Sequence, residues 1–260
     1  MSCIRKFLCE QLKNIPITLL PCTESTNDDL KKAAREGAEE FSLIIADSQT
    51  KGKGRLGRSF FSPDGTGLYM SLLLRPDCCA EKATLFTTLA AAAAAEAIDE
   101  VIGISADIKW VNDIFVGGRK VAGILTEGSL SKEKDSPEWV VIGIGINIAP
   151  PEKGFPKDIS SIAGFLLEKG NVLLRDKLAA AIINRIYFYY RNFDAGLYLD
   201  SYRKRLFFLG ERVTLIRNGA EAEVIAEDID SMCRLCILHP DGTRESIYGG
   251  EISIKPKNYR

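Results

Sequence analysis

The sequence predicts an α+β fold in two parts, a mixed domain over residues 1–207 and a small all-β domain over residues 208–260. Two observations predict the first part: apolar segments of strand-like composition alternate with helical patterns, and the longest of those patterns is rich in alanine. A third observation predicts the second part. Beyond residue 207 the chain has short β-type segments separated by the turn pairs Asn218-Gly219, Asp241-Gly242 and Gly249-Gly250.

The first elements of the mixed domain are a helix and two strands. Residues 23–37 predict a loop and then a helix, because Ser25, Thr26 and Asn27 are all good N-caps and Gly37 ends the pattern. The apolar residues that follow predict strands, and the alanine-rich run predicts a long helix with high propensity. The ranges are 41–49 and 67–76 for the strands and 81–101 for the helix.

The second half of the mixed domain begins with residues 106–128, which predict a strand, a turn at Gly117-Gly118 and a returning strand. Residues 138–150 predict a further strand. Helical patterns then cover residues 160–169 and 175–194.

Composition narrows the functional class. The chain has 260 residues, a net charge of -1 and 46% hydrophobic residues. Such a chain can form a core, and the near-neutral charge argues against a general nucleic-acid binder. No signal peptide is visible, and the longest apolar run is broken by Glu96, so it predicts a buried helix and no membrane span. Seven unevenly spaced cysteines indicate reduced thiols and a cytoplasmic location.

Histidine and cysteine usage argues against several kinds of site. The single histidine, His239, lies in the turn-like sequence HPDGT, which is a poor position for a Ser-His-Asp or Cys-His catalyst. A metal site with two histidines is excluded. Cys233 and Cys236 form one CxxC pair with no second half, so we predict no protein metal site.

A basic, glycine-rich segment stands out at residues 48–65, SQTKGKGRLGRSFFSPDG. Glycine lets backbone N–H groups approach an anion, and lysine or arginine neutralises its charge. The segment is not a Walker A motif, and no helix opens after its GxGxxG spacing. It therefore predicts a phosphate or carboxylate cradle, with a solvated basic loop as the alternative. The cations are Lys51, Lys53, Arg55 and Arg58.

Two other stretches favour a ligand site. Lys109, in KWVND, lies within an apolar strand and needs a partner or a ligand, unless it only protects an edge strand. In VIGIGINI the isoleucines share one face, and Gly143, Gly145 and Asn147 share the other. Glycine within a strand often marks the close approach of a ligand, although tight helix packing is the alternative. KVAGIL repeats the pattern with Gly123.

These motifs, taken in order, resemble those of biotin protein ligases. ESTN, Q-x-x-GKGRLGR-x-F, KWVND, KVAGIL and GIGIN follow the family's order, and GERVTLI…HPDGTRESIYGGEISIK is similar to its C-terminal module. The resemblance covers residues 17 to 255. It implies a mixed sheet like that of class II aminoacyl-tRNA synthetases, flanked by helices and followed by a small SH3-like β-barrel.

The resemblance also implies an activity. Biotin and ATP, the latter with Mg²⁺, would react to give biotinyl-5′-AMP and pyrophosphate. Biotin would then pass to one lysine of a carrier domain, such as the biotin carboxyl carrier protein of acetyl-CoA carboxylase. No tightly bound prosthetic group is expected, and the protein ligands of Mg²⁺ are left open. A homodimer through the sheet is a further expectation.

Site residues follow motif by motif from the resemblance. Lys109 and Arg55 would be catalytic, with Lys109 reaching the carboxylate and the α-phosphate and Arg55 retaining the adenylate. The expected biotin contacts are Ser25, Thr26, Asn27, Gln49, Lys53, Gly54, Arg55, Lys109 and Gly123. The expected ATP or adenylate contacts are Arg55, Arg58, Phe60, Lys109, Asn112, Lys120 and Asn147.

The chain departs from the family pattern at three positions: Lys53 replaces the usual arginine, Phe60 a tryptophan and Val111 a proline. Lysine cannot make a planar bidentate contact. Only about two dozen residues precede the STN motif, too few for a DNA-binding domain, so no DNA-binding role is expected. Two alternatives stay open: a lipoate or octanoate ligase on the related fold, and a non-catalytic biotin or nucleotide sensor.

Overall fold

A computed structural model describes residues 3–131, 134–217, 219–248 and 251–253. The predicted turns at Asn218-Gly219 and Gly249-Gly250 fall wholly or partly outside these residues, as do residues 254–260 of the predicted second domain. Among the described helices, none is both long enough and apolar enough to cross a membrane.

The described part of the mixed domain contains one seven-stranded sheet in the order β1-β2-β3-β7-β6-β5-β4. The pair β1–β2 is parallel and the other neighbours are antiparallel, so the mixed sheet that was predicted is confirmed. The strands are β1 (Ile17–Thr23), β2 (Leu43–Gln49), β3 (Gly67–Leu74), β4 (Asp107–Lys109), β5 (Asp113–Val116), β6 (Arg119–Leu130) and β7 (Pro137–Asn147).

Helices cover both faces of the sheet and pack against its buried strands. The alanines of the long helix α3 are fully buried, and their small side chains let it pack closely against the sheet and against α4. On the other face of the sheet, α1 packs against β2, β3 and β7. The helices are α1 (Thr26–Arg35), α2 (Ala80–Ala83), α3 (Leu85–Ile102), α4 (Val172–Arg191) and α5 (Tyr198–Lys204), and short 3₁₀ turns span Ile4–Lys6, Glu10–Leu12, Arg55–Gly57 and Phe193–Ala195.

The C-terminal region forms a second, antiparallel sheet, which confirms its predicted all-β character. Within the described residues five strands follow the order β11-β10-β9-β8-β12, and no pairing there closes the sheet into a barrel. They are β8 (Arg212–Arg217), β9 (Ala220–Ile229), β10 (Leu235–Leu238), β11 (Arg244–Ile247) and β12 (Glu251–Ser253). Buried side chains of this sheet, including Val213 and Leu235, belong to the same apolar cluster as α3 and α4.

Residues 160–169 are not a helix, and that prediction was wrong. Their backbone groups bond to strands instead: Lys120 N donates to Ile162 O and Gly164 N to Lys120 O, each at 2.8 Å. Leu166 N likewise donates to Asn147 O at 3.1 Å. The segment therefore lies along the ends of β6 and β7, where its backbone cannot also form helical hydrogen bonds.

Two other predicted elements are divided in the structure. Residues 106–116 hold two short strands, β4 and β5, which pair around a turn at Trp110–Asn112 that contains neither glycine nor proline. The Trp110–Val111 peptide bond is cis. The alanine-rich helix is interrupted at Thr84, and the last long helix begins at Val172 rather than at residue 175. The predicted turn at Gly117-Gly118 lies between β5 and β6, and both glycines have positive φ.

Candidate active site

One cleft of about 280 Å³ brings the sequence-predicted site residues together. Its floor is the face of β6 and β7 that carries the glycines, and its walls come from the start of α1, the basic loop and the β4–β5 turn. Every predicted biotin or ATP contact lines it: Ser25, Thr26, Asn27, Gln49, Lys53, Gly54, Arg55, Arg58, Phe60, Lys109, Asn112, Lys120, Gly123 and Asn147.

The start of α1 supplies buried polar groups at one end of the cleft. Ser25, Thr26 and Asn27 are nearly inaccessible to solvent, because the first turn of the helix faces the sheet. The carboxamide oxygen of Gln49 accepts hydrogen bonds from Thr26 N at 2.9 Å and from Thr26 Oγ1 at 3.1 Å. Its amide nitrogen donates to Ser62 Oγ at 2.9 Å. Gln49 is therefore held at both ends of its amide.

Hydrogen bonds also fix the orientation of the Asn27 amide. Its Nδ2 donates to Glu127 Oε2 at 2.8 Å and to the carbonyl of Leu125 at 3.3 Å. A carboxylate only accepts, so the nitrogen must face Glu127. The hydroxyl of Ser71 lies 2.6 Å from Asn27 Oδ1. With both amide hydrogens engaged, Asn27 offers a ligand the remaining acceptor capacity of Oδ1, which suits an N–H donor.

Two side chains, Asn27 and Phe60, lie directly against the glycine face of β7. A Cβ atom on Gly143 would lie 2.1 Å from Asn27 Oδ1, and one on Gly145 would lie 2.6 Å from the ring of Phe60. A Cβ on Gly123 would lie 3.5 Å from the same ring. The glycines therefore let the helix start and the basic loop approach the sheet. Of the two interpretations made from the sequence, close helix packing holds at Gly143, and the ligand floor stays a prediction.

The basic loop is folded back on itself over the cleft. Gln49 and Ser62 pair as an antiparallel bridge, as do Lys53 and Ser59. Further along, Gly54 N donates to Arg58 O at 2.7 Å. The loop thus resembles an irregular hairpin, although only the strand before it was predicted.

Acidic side chains neutralise part of the positive charge of the loop. Lys51 pairs with Glu24 at 2.7 Å in an exposed contact, and Lys53 pairs with Asp28 at 2.6 Å. Burial alone would raise the pKa of Asp28, but hydrogen bonds from Lys53 and Lys31 outweigh it and hold that pKa below its usual value. Lys53 is therefore anchored to the first turn of α1.

Arg55 makes a different contact, with a neutral amide. Its Nη1 donates to Asn112 Oδ1 at 3.0 Å, while Asn112 Nδ2 donates to the carbonyl of Ile124 at 2.9 Å. The guanidinium keeps its full charge for an anion in the cleft. Arg55 is thus positioned by the β4–β5 turn without being neutralised there.

Lys109 lies at the end of β4, which is an edge strand among the described residues, and not within a strand as predicted. It nevertheless lines the cleft, so Lys109 is both at the edge of the sheet and exposed to the cleft. Lys120, from the adjacent strand pair, forms an ion pair of 2.7 Å with Asp113. The wall formed by these residues is cationic, with one carboxylate against Lys120.

The sequence did not reveal several residues that hold the side chains of the cleft in place. Ser71 and Glu127 orient Asn27, Ser62 holds Gln49, and Asp113 pairs with Lys120. A serine at the middle of the apolar strand LYMSLLL was the one visible signal for Ser71. Residues 155–163, which overlap the start of the wrongly predicted helix at 160–169, add an apolar rim of Phe155, Ile159, Ile162 and Ala163.

The cleft combines two chemical environments. One end offers fixed hydrogen-bonding groups and the apolar side chain of Met70, which suits a small polar ring on an apolar body. The other end offers Arg55, Arg58 and Lys109 beside the rings of Phe60 and Phe61 and the apolar rim. That end suits an anion attached to a flat base.

Comparison with protein families agrees with this arrangement. Residues 19–147 match the Biotin/lipoate A/B protein ligase family. Residues 208–255 match the Biotin protein ligase C terminal domain.

Among curated relatives, the bifunctional ligase/repressor BirA of Bacillus subtilis is 44% identical over 139 residues, which are 54% of this chain and 42% of that protein. The corresponding protein of Bacillus spizizenii is 43% identical over the same shares. The alignments therefore span less than half the length of these two relatives. The biotin--[acetyl-CoA-carboxylase] ligase of Paracoccus denitrificans is 31% identical over 90% of this chain and 98% of its own length.

Solved structures extend the likeness over almost the whole chain. The biotin protein ligase of Aquifex aeolicus, in complex with biotin and ATP, superposes with a TM-score of 0.74 at 28% identity. The match covers 92% of this chain and 97% of that one. Its unliganded structure gives the same TM-score of 0.74 at 25% identity.

Proposed function

Since this chain belongs to the biotin/lipoate A/B protein ligase family, we propose that it is a biotin protein ligase that attaches biotin to a lysine of a carrier domain. The Paracoccus denitrificans relative is named as a biotin--[acetyl-CoA-carboxylase] ligase. The Aquifex aeolicus structure is named as a biotin protein ligase in complex with biotin and ATP. The match of residues 208–255 to a module named for biotin protein ligases favours biotin over lipoate.

The biotin end of the cleft is the one formed by the start of α1. The carbonyl and N–H groups of the biotin ring system meet Ser25, Thr26, Asn27 and Gln49, and hydrogen bonds already fix the side chains of the last three. A fixed site loses little conformational entropy when the ligand binds. Gly123 lies beneath the ligand, and Lys53 and Gly54 lie over it.

The nucleotide end holds ATP as its Mg²⁺ complex, which is a substrate. Arg58 and Lys120 contact the phosphates and Phe60 packs against the adenylate. Asn147 faces the adenine, although its Nδ2 already donates to Gly164 O at 3.0 Å, which leaves Oδ1 for the base. Asn112 contributes by holding Arg55.

Two steps follow from this placement. A carboxylate oxygen of biotin attacks the α-phosphorus of ATP, the bond to the β-phosphate oxygen breaks, and pyrophosphate leaves. In the second step a carrier lysine attacks the biotinyl carbonyl, AMP leaves with the bonding electrons, and the amine loses a proton. In the first step two anions must meet. Lys109 and Arg55 offset their repulsion, which is the largest contribution expected of the protein.

The single observation that carries the proposal is the gathering of all the predicted contacts around one cleft that is cationic at one end and lined with fixed neutral polar groups at the other. A solvated basic loop would not need to fold over glycine-bearing strands. A sensor without turnover would not need both Lys109 and an unneutralised Arg55.

ATP–pyrophosphate exchange that depends on added biotin tests the first step. With purified protein and Mg²⁺ we expect exchange with biotin and none with lipoate. Exchange with lipoate alone would assign the chain to the lipoate side of the family. Biotin binding by calorimetry without exchange would identify a sensor. Transfer of labelled biotin to a biotin carboxyl carrier domain then tests the second step.

We further propose that the chain divides between residues 207 and 208, and that it acts in the cytoplasm. The start of the C-terminal family match at residue 208 and of β8 at Arg212 supports the division. The seven cysteines, all within the described residues and all free thiols, support a reducing compartment.

A further inference from the structure

The turn that follows Lys109 is tied to the C-terminal sheet by a buried hydrogen bond. Trp110 Nε1 donates to the carbonyl of Cys233 at 2.9 Å, and the indole is 5% exposed. The two residues are 123 positions apart. Trp110 directly follows Lys109 and precedes Asn112 by two residues, so its position fixes the backbone that carries both.

Each residue of the turn has its own anchor. The carbonyl of Val111 accepts from the hydroxyl of Tyr202, in α5, at 3.0 Å. The carbonyl of Asn112 accepts from Ile124 N at 2.9 Å. Only the anchor of Trp110 comes from the C-terminal sheet.

Two clefts flank this turn. Trp110 borders the active-site cleft on one side and a second cleft of about 400 Å³ on the other. Val111 and Arg55 also border the second cleft, which extends to Met232 and Arg234 in the C-terminal region. Trp110 also belongs to the main apolar cluster, and the hydrogen bond to Cys233 adds a directional restraint to that packing.

The acceptor is itself held in an unusual conformation. Cys233 has φ of 54°, the left-handed region that side chains other than glycine seldom adopt. Asp230 stabilises this turn, because its Oδ1 accepts from Met232 N at 2.9 Å and from Arg234 N at 3.0 Å. The backbone of Cys233 also donates to Asp230 O at 2.9 Å. This turn directs the Cys233 carbonyl towards the indole.

We propose that Trp110 is a positioning residue through which the C-terminal sheet sets the place of Lys109 and of the Asn112–Arg55 pair. Asp230 is a second positioning residue, because it holds the turn that carries the accepting carbonyl of Cys233. This inference rests on the proposed function, and it assigns the C-terminal sheet a task in the adenylation step itself. Displacement of a catalytic cation by about 1 Å can lower a rate by about 100-fold.

Trp110→Phe is the direct test, because it removes the N–H and keeps an aromatic ring. We expect kcat for biotin-dependent ATP–pyrophosphate exchange to fall about 10-fold or more, while the KM for biotin changes less than about threefold. The contacts proposed for the biotin ring system, Ser25, Thr26, Asn27 and Gln49, lie at the start of α1 and in β2, away from this turn. An unchanged kcat in a folded Trp110→Phe protein would overturn the proposal.

Cys233→Ala is the matched control, because it removes the buried thiol but keeps the carbonyl that accepts from Trp110. We expect its melting temperature to fall while kcat stays near the wild-type value. A loss of kcat equal to that of Trp110→Phe would show that interface stability alone matters, and would also overturn the proposal.

Asp230→Ala tests the role of the turn that holds the Cys233 carbonyl. It also provides the test of the proposal if Trp110→Phe does not fold. It should lower kcat in the same way, and Asp230→Asn, which keeps the accepting oxygen, should restore most of it. Unaltered kcat in Asp230→Ala would contradict the role of that turn. Absence of exchange in the wild-type protein is a separate outcome, which would reject the proposed function before any variant is compared.

Discussion

Arg55 and Asn112 are 57 residues apart, yet the guanidinium Nη1 of one donates to the amide oxygen of the other at 3.0 Å. This contact joins the basic loop to the β4–β5 turn across the mouth of the cleft. Because Asn112 is neutral, it places the cation without cancelling its charge. Retention of a reactive intermediate should therefore depend on both residues.

Arg55→Ala should still form biotinyl-5′-AMP but release it into solution, because the cation over the adenylate is lost. Asn112→Ala should do the same to a smaller extent. The measurement is the ratio of biotin on serum albumin to biotin on a carrier domain. Lys51→Ala, which removes a cation of the same loop in an exposed ion pair with Glu24, should remain specific for the carrier. Strict carrier specificity in Arg55→Ala would contradict the retaining role.

Lys109→Ala should lower the rate of adenylation by about 100-fold or more, the scale for loss of one preorganised charge donor. Biotin binding by calorimetry should persist, because the fixed polar groups of α1 and β2 are untouched. Lys51→Ala again provides the control, since exposed ion pairs contribute about 1 kcal/mol or less. A loss of biotin binding equal to the loss of rate would place Lys109 in ground-state recognition instead.

Gly145→Ala should weaken ATP binding and lower thermal stability. A Cβ there would lie 2.6 Å from the Phe60 ring, so the ring must move away from β7. Overpacking of this kind costs about 1–3 kcal/mol. The double variant Gly145→Ala/Phe60→Leu should regain melting temperature but not ATP affinity. If the single variant melts at the wild-type temperature, the close approach of Phe60 is wrong.

The contact between Asp28 and Lys53 should matter down to acidic pH. The lowered pKa of Asp28 means that its ionised form stabilises the fold above the unfolded value of 3.8, and that this stability disappears as the pH falls through the lower folded pKa. Asp28→Asn should therefore unfold more easily at pH 6, by about 1 kcal/mol or less for such a half-exposed pair. The difference from wild type should shrink as the pH falls below 3.8 and through the lower folded pKa of Asp28. Urea denaturation across this range measures it, and a constant difference would contradict the assigned cause.

Local patterns in the sequence predicted the elements that depend on local chemistry. The N-cap run Ser25–Asn27 predicted the start of α1, and the isoleucine alternation predicted which face of β7 is buried. The glycines of that strand predicted a close approach, although not that Asn27 and Phe60 were the groups that approach.

Contacts between distant parts of the chain were not predictable in this way. The turn at Trp110–Asn112 contains one turn-favouring residue, Asn112, but its anchors Tyr202, Ile124 and Cys233 are distant in the chain and could not be foreseen. Residues 160–169 carry a helix-like pattern, but pairing with β6 uses their backbone groups. Ser71 and Glu127 act through Asn27; a serine within an apolar strand marks Ser71 as unusual, but neither segment indicates a contact with Asn27.

The central place of β7 has a consequence for how binding can be observed. Gly143 and Gly145 lie in a strand paired on both sides, with β3 and with β6, so their amides should exchange hydrogen with solvent among the slowest in the chain. The tip of the basic loop, where Leu56 is 81% exposed, should exchange quickly. The cleft is thus lined by backbone amides that exchange slowly and by others that exchange quickly. Substrate binding should lower the exchange rates of the loop amides and leave those of the β7 amides unchanged.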